Sequence, residues 1–334
     1  MNKSILFNKR PVGKPTLDDF MFSSAAIPVP EAGHILLKTL YVSVDPYLRG
    51  RMNDTKSYIP PFELGKPIQS GIIAEVTDSK NDLFKKGDFV SGMLEWKEFQ
   101  LSDGSGLNKV DASVTPLSTY LGLLGMTGLT AYLGLTEIGA PKPGETLVVS
   151  GAAGAVGSVV GQIGRIKGCR VVGITGSDEK SAVLKSKFGF DEAINYKTTH
   201  DLREAVRMAC PDGVDIYFDN VGGEISDAVL ANINKHARLP VCGAISLYND
   251  TRIRLAPRIQ PILLTKSATM RGFIGNDFSA KFPAAMKQLA LWLKEGKLTH
   301  AETIVEGFEN IPQAFLDLFD GKNSGKMIVK VRED

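Results

Sequence analysis

Apolar and polar positions fall into two textures along the 334 residues. Up to about residue 120, short alternating runs such as 34–44 and 71–76 are punctuated by Pro, Gly and Asp turns, which predicts an irregular β module. From about 125 to 295, short apolar runs alternate with amphipathic helical stretches, which predicts parallel βα units with right-handed crossovers. Strands are expected at 146–150, 170–175, 193–196, 214–219, 237–242 and 269–274. Pro240 is awkward inside the fifth, because it cannot donate to a ladder. The most apolar stretch, 121–135, is too short and too broken by glycine to span a membrane, and predicts a buried helix pair. Beyond 295, a strand at 303–308, a helix from Pro312 and a strand at 326–331 return to the first texture. The expected division is therefore 1–124 plus 296–334 for one domain and 125–295 for an inserted one.

The first strand of the inserted domain runs into Gly151-Ala-Ala-Gly154-Ala-Val-Gly157, after which Val156, Val159, Val160, Ile163 and Ile166 repeat at helical spacing. Strand, glycine turn and helix form the context of a phosphate cradle: glycines permit close backbone approach, and free N–H groups at a helix start face the anion. The spacing is G-x-x-G-x-x-G rather than G-x-G-x-x-G, so a plain glycine turn before a core helix stays open as an alternative.

Composition narrows the classes. Hydrophobic residues at 43% and charged residues at 23% are ordinary for a soluble globular chain, and a net charge of +2 points to neither nucleic acid nor an acidic membrane. Cys169, Cys210 and Cys242 are scattered, and none of the four histidines pairs with them at a metal-ligand spacing, so no zinc site and no disulfide framework are expected. The N-terminus lacks an apolar run of signal-peptide length, so a cytoplasmic protein is expected.

The tip of the second strand bears on which nucleotide is held. Where NAD sites carry an acid for the ribose, this chain has Gly176-Ser177, and Lys180 follows on the opening turn of the next helix. That leaves room for a 2′-phosphate and supplies a cation for it; a merely solvated lysine is the alternative. Asp178 and Glu179 read as first-turn helix residues.

Six motifs, in order, extend this reading over nearly the whole chain: Asp45-Pro-Tyr-Leu-Arg-Gly-Arg-Met52, the segment from Gly139 to Gly157, Gly168-Cys-Arg-Val-Val-Gly173, Asp219-Asn-Val-Gly-Gly-Glu224, Cys242-Gly-Ala-Ile-Ser-Leu-Tyr-Asn249 and Gly321-Lys-Asn-Ser-Gly-Lys326. Together they resemble the zinc-independent double-bond reductases of the medium-chain dehydrogenase/reductase superfamily, which include prostaglandin reductases, plant alkenal reductases and bacterial NADPH-dependent curcumin reductases. The resemblance implies a GroES-like β-barrel catalytic domain, a Rossmann doubly wound parallel sheet, NADPH in the cleft between them, and commonly a homodimer. By resemblance, Gly151, Ala152, Gly154, Ala155, Val156 and Gly157 face the pyrophosphate, and Lys180 and Tyr196, with Ser177 nearby, hold the adenosine phosphate. Asn220, Cys242, Gly243, Ser246, Phe273 and Asn323 match positions around the pyrophosphate and nicotinamide. Leu48 and Thr127 depart from residues common in relatives and leave the substrate's shape open.

The implied chemistry is hydride delivery to the β-carbon of an enone and protonation at the α-carbon, so an enolate must be stabilised. With no metal-ligand spacing in the chain, a hydrogen-bond donor is expected to do this, and a phenol donates in its neutral form. Tyr248 follows the fifth strand, at the edge where such sheets bind ligands, and is the expected catalytic residue; Tyr47 and Tyr58 are expected to contact substrate. Two rival functions remain open at this point: a quinone oxidoreductase of the same superfamily, and a non-catalytic NADPH-binding structural or RNA-binding protein, against which the near-neutral charge argues.

Overall fold

Along Ile35–Ser43, Ile35 and Leu37 alternate inward, a register shift between Thr39 and Tyr41 changes the phase so that Val42 is buried as well, and this strand pairs antiparallel with Gln69–Ser79. In the computed structural model, which describes residues 1–331, both strands lie at the centre of a seven-stranded sheet. Its path runs through Glu302–Glu306, Lys326–Lys330, Ile35–Ser43, Gln69–Ser79, Phe89–Glu95 and Asn108–Val110, with Phe99–Ser102 also paired to Ile35–Ser43. Asn2–Phe7 and Phe20–Ala25 form a separate antiparallel pair. Trp96, Phe7, Phe308 and Phe315 are fully buried in the core beneath. The end of the chain returns to this sheet, Ile328 pairing with Ser43, so the unit comprises 1–121, 302–323 and the tail from Met327. One turn of helix, Leu48–Arg51, interrupts the β texture within the first quoted motif.

The second unit, 122–301 with 324–326, is a doubly wound sheet of six parallel strands. In chain order these are Thr146–Ser150, Arg170–Thr175, Glu192–Asn195, Val214–Phe218, Ile233–Val241 and Thr269–Gly272, arranged 3-2-1-4-5-6 across the sheet. Every residue of the first strand is buried, the polar Thr146 and Ser150 at its ends included, as befits a strand covered on both faces.

Two expectations need correction. The stretch 121–135 is not a helix pair: one α-helix, Met126–Leu133, continues into a π-helical turn, Gly134–Gly139. The residues before it fold back so tightly that a Cβ on Gly128 would lie 1.9 Å from the Leu123 carbonyl oxygen. The fifth strand starts earlier than expected because it carries a bulge: Val214 faces Ile233 but Ile216 faces Arg238, and His236 between them has a φ of 65°. Pro240 does sit in this interior strand, paired with Arg271, and its carbonyl accepts the Asp219 N–H at 2.9 Å. Only the donor half of its ladder position is lost.

Candidate active site

The glycine turn is built by sterics. Gly151 adopts a φ of 57°, and a Cβ on Gly157 would lie 2.4 Å from the Gly151 carbonyl oxygen, so the helix Gly157–Ile166 can start this close to the strand only with glycine there. Ala152 is tied back to the second strand through Ile174 O at 3.1 Å. Gly325 braces the turn by donating its N–H to Ala153 O at 2.7 Å and bridging Gly154, a contact that sequence reading missed. Among the described residues, the N–H groups of Ala155, Val156 and Gly157 meet no protein acceptor, so three donors at a helix start are available to an anion.

At the tip of the second strand, Ser177 caps the helix Asp178–Ser186 by accepting the Lys180 N–H at 3.3 Å. Its hydroxyl therefore serves the helix. Asp178 is engaged by the Asn195 carboxamide at 2.8 Å, which occupies the acid nearest the strand tip. Burial, and then the neighbouring charge of Lys197, lower the proton affinity of Lys180. A half-buried lysine beside a second lysine is a site that an anion would relieve. Tyr196 and Lys197 both lean over Gly176: a Cβ there would lie 3.1 Å from the tyrosine ring and 3.3 Å from Lys197 Cε. Lys197 was missed in the sequence, where it is one of 39 basic residues; only its packing against Gly176 distinguishes it.

At the carboxyl edge of the fourth and fifth strands, Asn220 donates its carboxamide to Ser150 O at 2.7 Å, and Ser246 donates its hydroxyl to Val221 O at 2.7 Å. Both side chains fasten loops together. Cys242, Gly243, Ala244 and Tyr248 line a cavity of about 410 Å³ with Val241, Gly272, Phe273, Ile274 and Asp277. The Phe273 ring is seated edge-on to Phe218, with centroids 6.1 Å apart, in the space left by the missing Cβ of Gly134. The Tyr248 hydroxyl accepts the Ala244 N–H at 3.3 Å. Burial raises its pKa above 10.0, so it stays a neutral donor. Burial, and then Asp219, push the Cys242 thiol up to about 12.

The first unit holds the other nominated residues. Tyr47 is half-buried before the turn Leu48–Arg51, its hydroxyl 4.0 Å from Met93 Sδ, and burial followed by Asp45 raises its pKa. Tyr58 is 60% exposed. Arg51, electrostatically coupled to both tyrosines, is buried with its guanidinium 4.0 Å from the Phe62 ring centre. Asn323 is half-buried and ends the unit's segment before Ser324.

Free amides, a backbone approach that only glycine allows and two lysines beyond the neighbouring tips of the second and third strands form a donor set that can hold a phosphorylated dinucleotide. A family model described as "N-terminal domain of oxidoreductase" matches residues 3–110, and one described as "Zinc-binding dehydrogenase" matches 155–291. Among the described residues, no group of three or more His, Cys, Asp and Glu side chains is placed to hold a metal ion. The chain is 58% identical to the putative NADP-dependent oxidoreductase YfmJ of Bacillus subtilis, over 99% of this chain and 98% of that protein. It is 41% identical to the NADPH-dependent curcumin reductase of Escherichia coli, over 100% and 98%. The crystal structure of CurA from Vibrio vulnificus in complex with NADPH superposes with a TM-score of 0.94 at 42% identity, covering 99% of this chain and 100% of that one.

Proposed function

The chain belongs to the double-bond reductases of the medium-chain dehydrogenase/reductase superfamily, and from that membership we propose that it reduces the C=C bond of α,β-unsaturated ketones and aldehydes with NADPH. The segment 125–295 is then the NADPH-binding domain, and 1–124 with 296–334 the catalytic one. Ala155, Val156 and Gly157 present their amides to the pyrophosphate, and Lys180 and Lys197 with Tyr196 meet the 2′-phosphate. Bound NADPH supplies the hydride that adds to the β-carbon.

The observation that carries the reaction is the placement of Tyr248. Its hydroxyl takes the Ala244 N–H on its oxygen and keeps its own proton for a substrate carbonyl oxygen. As the C=C bond becomes single, negative charge collects on that oxygen, and the phenol stabilises it by donation before the α-carbon is protonated. An enolate is close to a phenol in basicity, so the donor and the charge it meets are matched. Reduction of the carbonyl itself would develop a far more basic alkoxide, which a phenol meets poorly.

The protein acts on a small-molecule enone in the cytoplasm, as a homodimer. No helix among the described residues is long and apolar enough to cross a membrane. A dimer is favoured by the exposed edge strand Thr269–Gly272 and by Ile253, Leu255 and Leu264, which are 95%, 97% and 81% exposed on the same unit. NADPH consumption on a panel of 2-alkenals, aryl enones, curcumin and a quinone, with product mass, tests the reaction; light scattering tests the dimer.

A further inference from the structure

Asp219 touches both loops that shape the cavity. It is 4% exposed and follows the strand Val214–Phe218. Its Oδ1 accepts four hydrogen bonds, from Ser150 Oγ at 2.9 Å, Tyr217 Oη at 2.8 Å, and the Val221 and Gly222 N–H groups at 2.9 Å each. Its carbonyl oxygen accepts the N–H groups of Cys242 at 2.8 Å and Gly243 at 3.1 Å. One residue thus holds the turn 220–222 through its side chain and the start of the loop 242–248 through its backbone.

The two loops are also laced to each other. Ser246 gives both its N–H and its hydroxyl to Val221 O, at 3.1 and 2.7 Å. Tyr248 closes the set: a Cβ on Gly243 would lie 3.2 Å from the Tyr248 hydroxyl and 3.3 Å from the Asn220 carbonyl oxygen. The space beside Gly243 is thus flanked by the phenol and by the Asn220 carbonyl, and Gly243 is itself held by the Asp219 carbonyl oxygen.

We propose that Asp219 is the positioning residue of this site: by fixing the turn 220–222 it sets the 242–248 loop, and with it the Tyr248 hydroxyl. The proposal rests on the reading of Tyr248 as the proton donor. An ionised carboxylate suits the task because it only accepts, and its charge strengthens each of the four bonds. An amide in its place keeps one acceptor oxygen, loses the charge and introduces two donors among groups that already donate.

The test is a double-mutant cycle on the holoenzyme, measuring kcat for 2-nonenal, NADPH Kd by fluorescence and the thermal midpoint. Asp219→Asn is expected to lower kcat about tenfold, a larger factor than its rise in NADPH Kd, since the turn and loop that it holds also lie at the expected cofactor site. The double variant Asp219→Asn, Tyr248→Phe should be no slower than Tyr248→Phe alone. Ser150→Ala removes one donor and leaves the carboxylate, and should give the same non-additive pattern at about threefold, which keeps the test open if Asp219→Asn does not fold. Losses that multiply in the double variant overturn the proposal, because Asp219 would then act on the fold or the cofactor rather than through Tyr248. An unchanged kcat in Asp219→Asn overturns it as well. Full activity in Tyr248→Phe contradicts the donor assignment by itself, and a loss in Asp219→Asn beside it contradicts positioning through that tyrosine.

Discussion

Ser150 Oγ donates to Asp219 Oδ1 at 2.9 Å, and these residues stand at the ends of the two adjacent strands where the order of the parallel sheet reverses. Ligands of doubly wound sheets bind outside the carboxyl ends of the strands at such a reversal. Topology therefore places the site at Ser150 and Asp219 without reference to any motif. The glycine turn follows one of them directly, and the loop bearing Tyr248 is hydrogen-bonded to the other.

The lysine pair makes cofactor choice testable. Lys180→Ala should raise the Michaelis constant for NADPH by about one to two decades, the worth of a contact to a charged group, and leave that for NADH nearly unchanged. Lys197→Ala should act in the same direction. Steady-state titration of both cofactors decides this, and equal effects on the two would refute the phosphate site.

Tyr248→Phe should lower kcat while NADPH affinity changes little, with a residual rate because water can protonate the enolate. Burial raises the phenol's pKa above 10.0, so the donor is lost only as pH rises beyond that value. The wild-type kcat profile should show no alkaline fall from this group below pH 10.0. Full activity in the variant would pass the donor role to one of the other two tyrosines nominated by the sequence, Tyr47 or Tyr58.

Much of this was legible in the residues, for identifiable reasons. The first two strands have the bounds expected of them, because their apolar centres, 147–149 and 171–174, are closed on both sides by turn-forming glycines. The fifth does not, since a bulge around His236 breaks the period that would have revealed it. Glycines at 122, 125 and 128 marked a break in the apolar stretch, but Gly134, where the π-helical turn begins, packs against Phe273, which is remote in sequence. Lys197 and Asp219 carry no local signal of their roles; contacts with Gly176 in one case and with four donors in the other exist only in the folded chain.

Buried thiols set an alkaline limit on stability. Burial pushes Cys169 up to about 11 and Cys210 to about 12, whereas an unfolded thiol titrates near ~8.5. Above ~8.5 the unfolded state releases protons that the folded state keeps, so this stability is fully present below that pH and is lost as pH rises toward the folded values. The slope is up to ~1.4 kcal/mol per pH unit for each thiol. Urea midpoints measured from pH 8 to 10 should fall in wild type and fall less steeply in Cys169→Ala, Cys210→Ala, where Cys242 is the remaining raised thiol; parallel slopes would contradict the assignment.

Dialysis against a strong chelator should leave activity and thermal midpoint unchanged, since no three donor side chains among the described residues converge on a metal position. Activity that falls and returns with zinc would overturn this.

The central claim is conjugate reduction, and isotope tracing reaches it most directly. Single-turnover reduction of an aryl enone with NADPH deuterated at the transferred position, followed by mass spectrometry and NMR of the product, locates the hydride. The account predicts a saturated ketone with deuterium at the β-carbon and a solvent proton at the α-carbon. An allylic alcohol with deuterium on the carbinol carbon would contradict it.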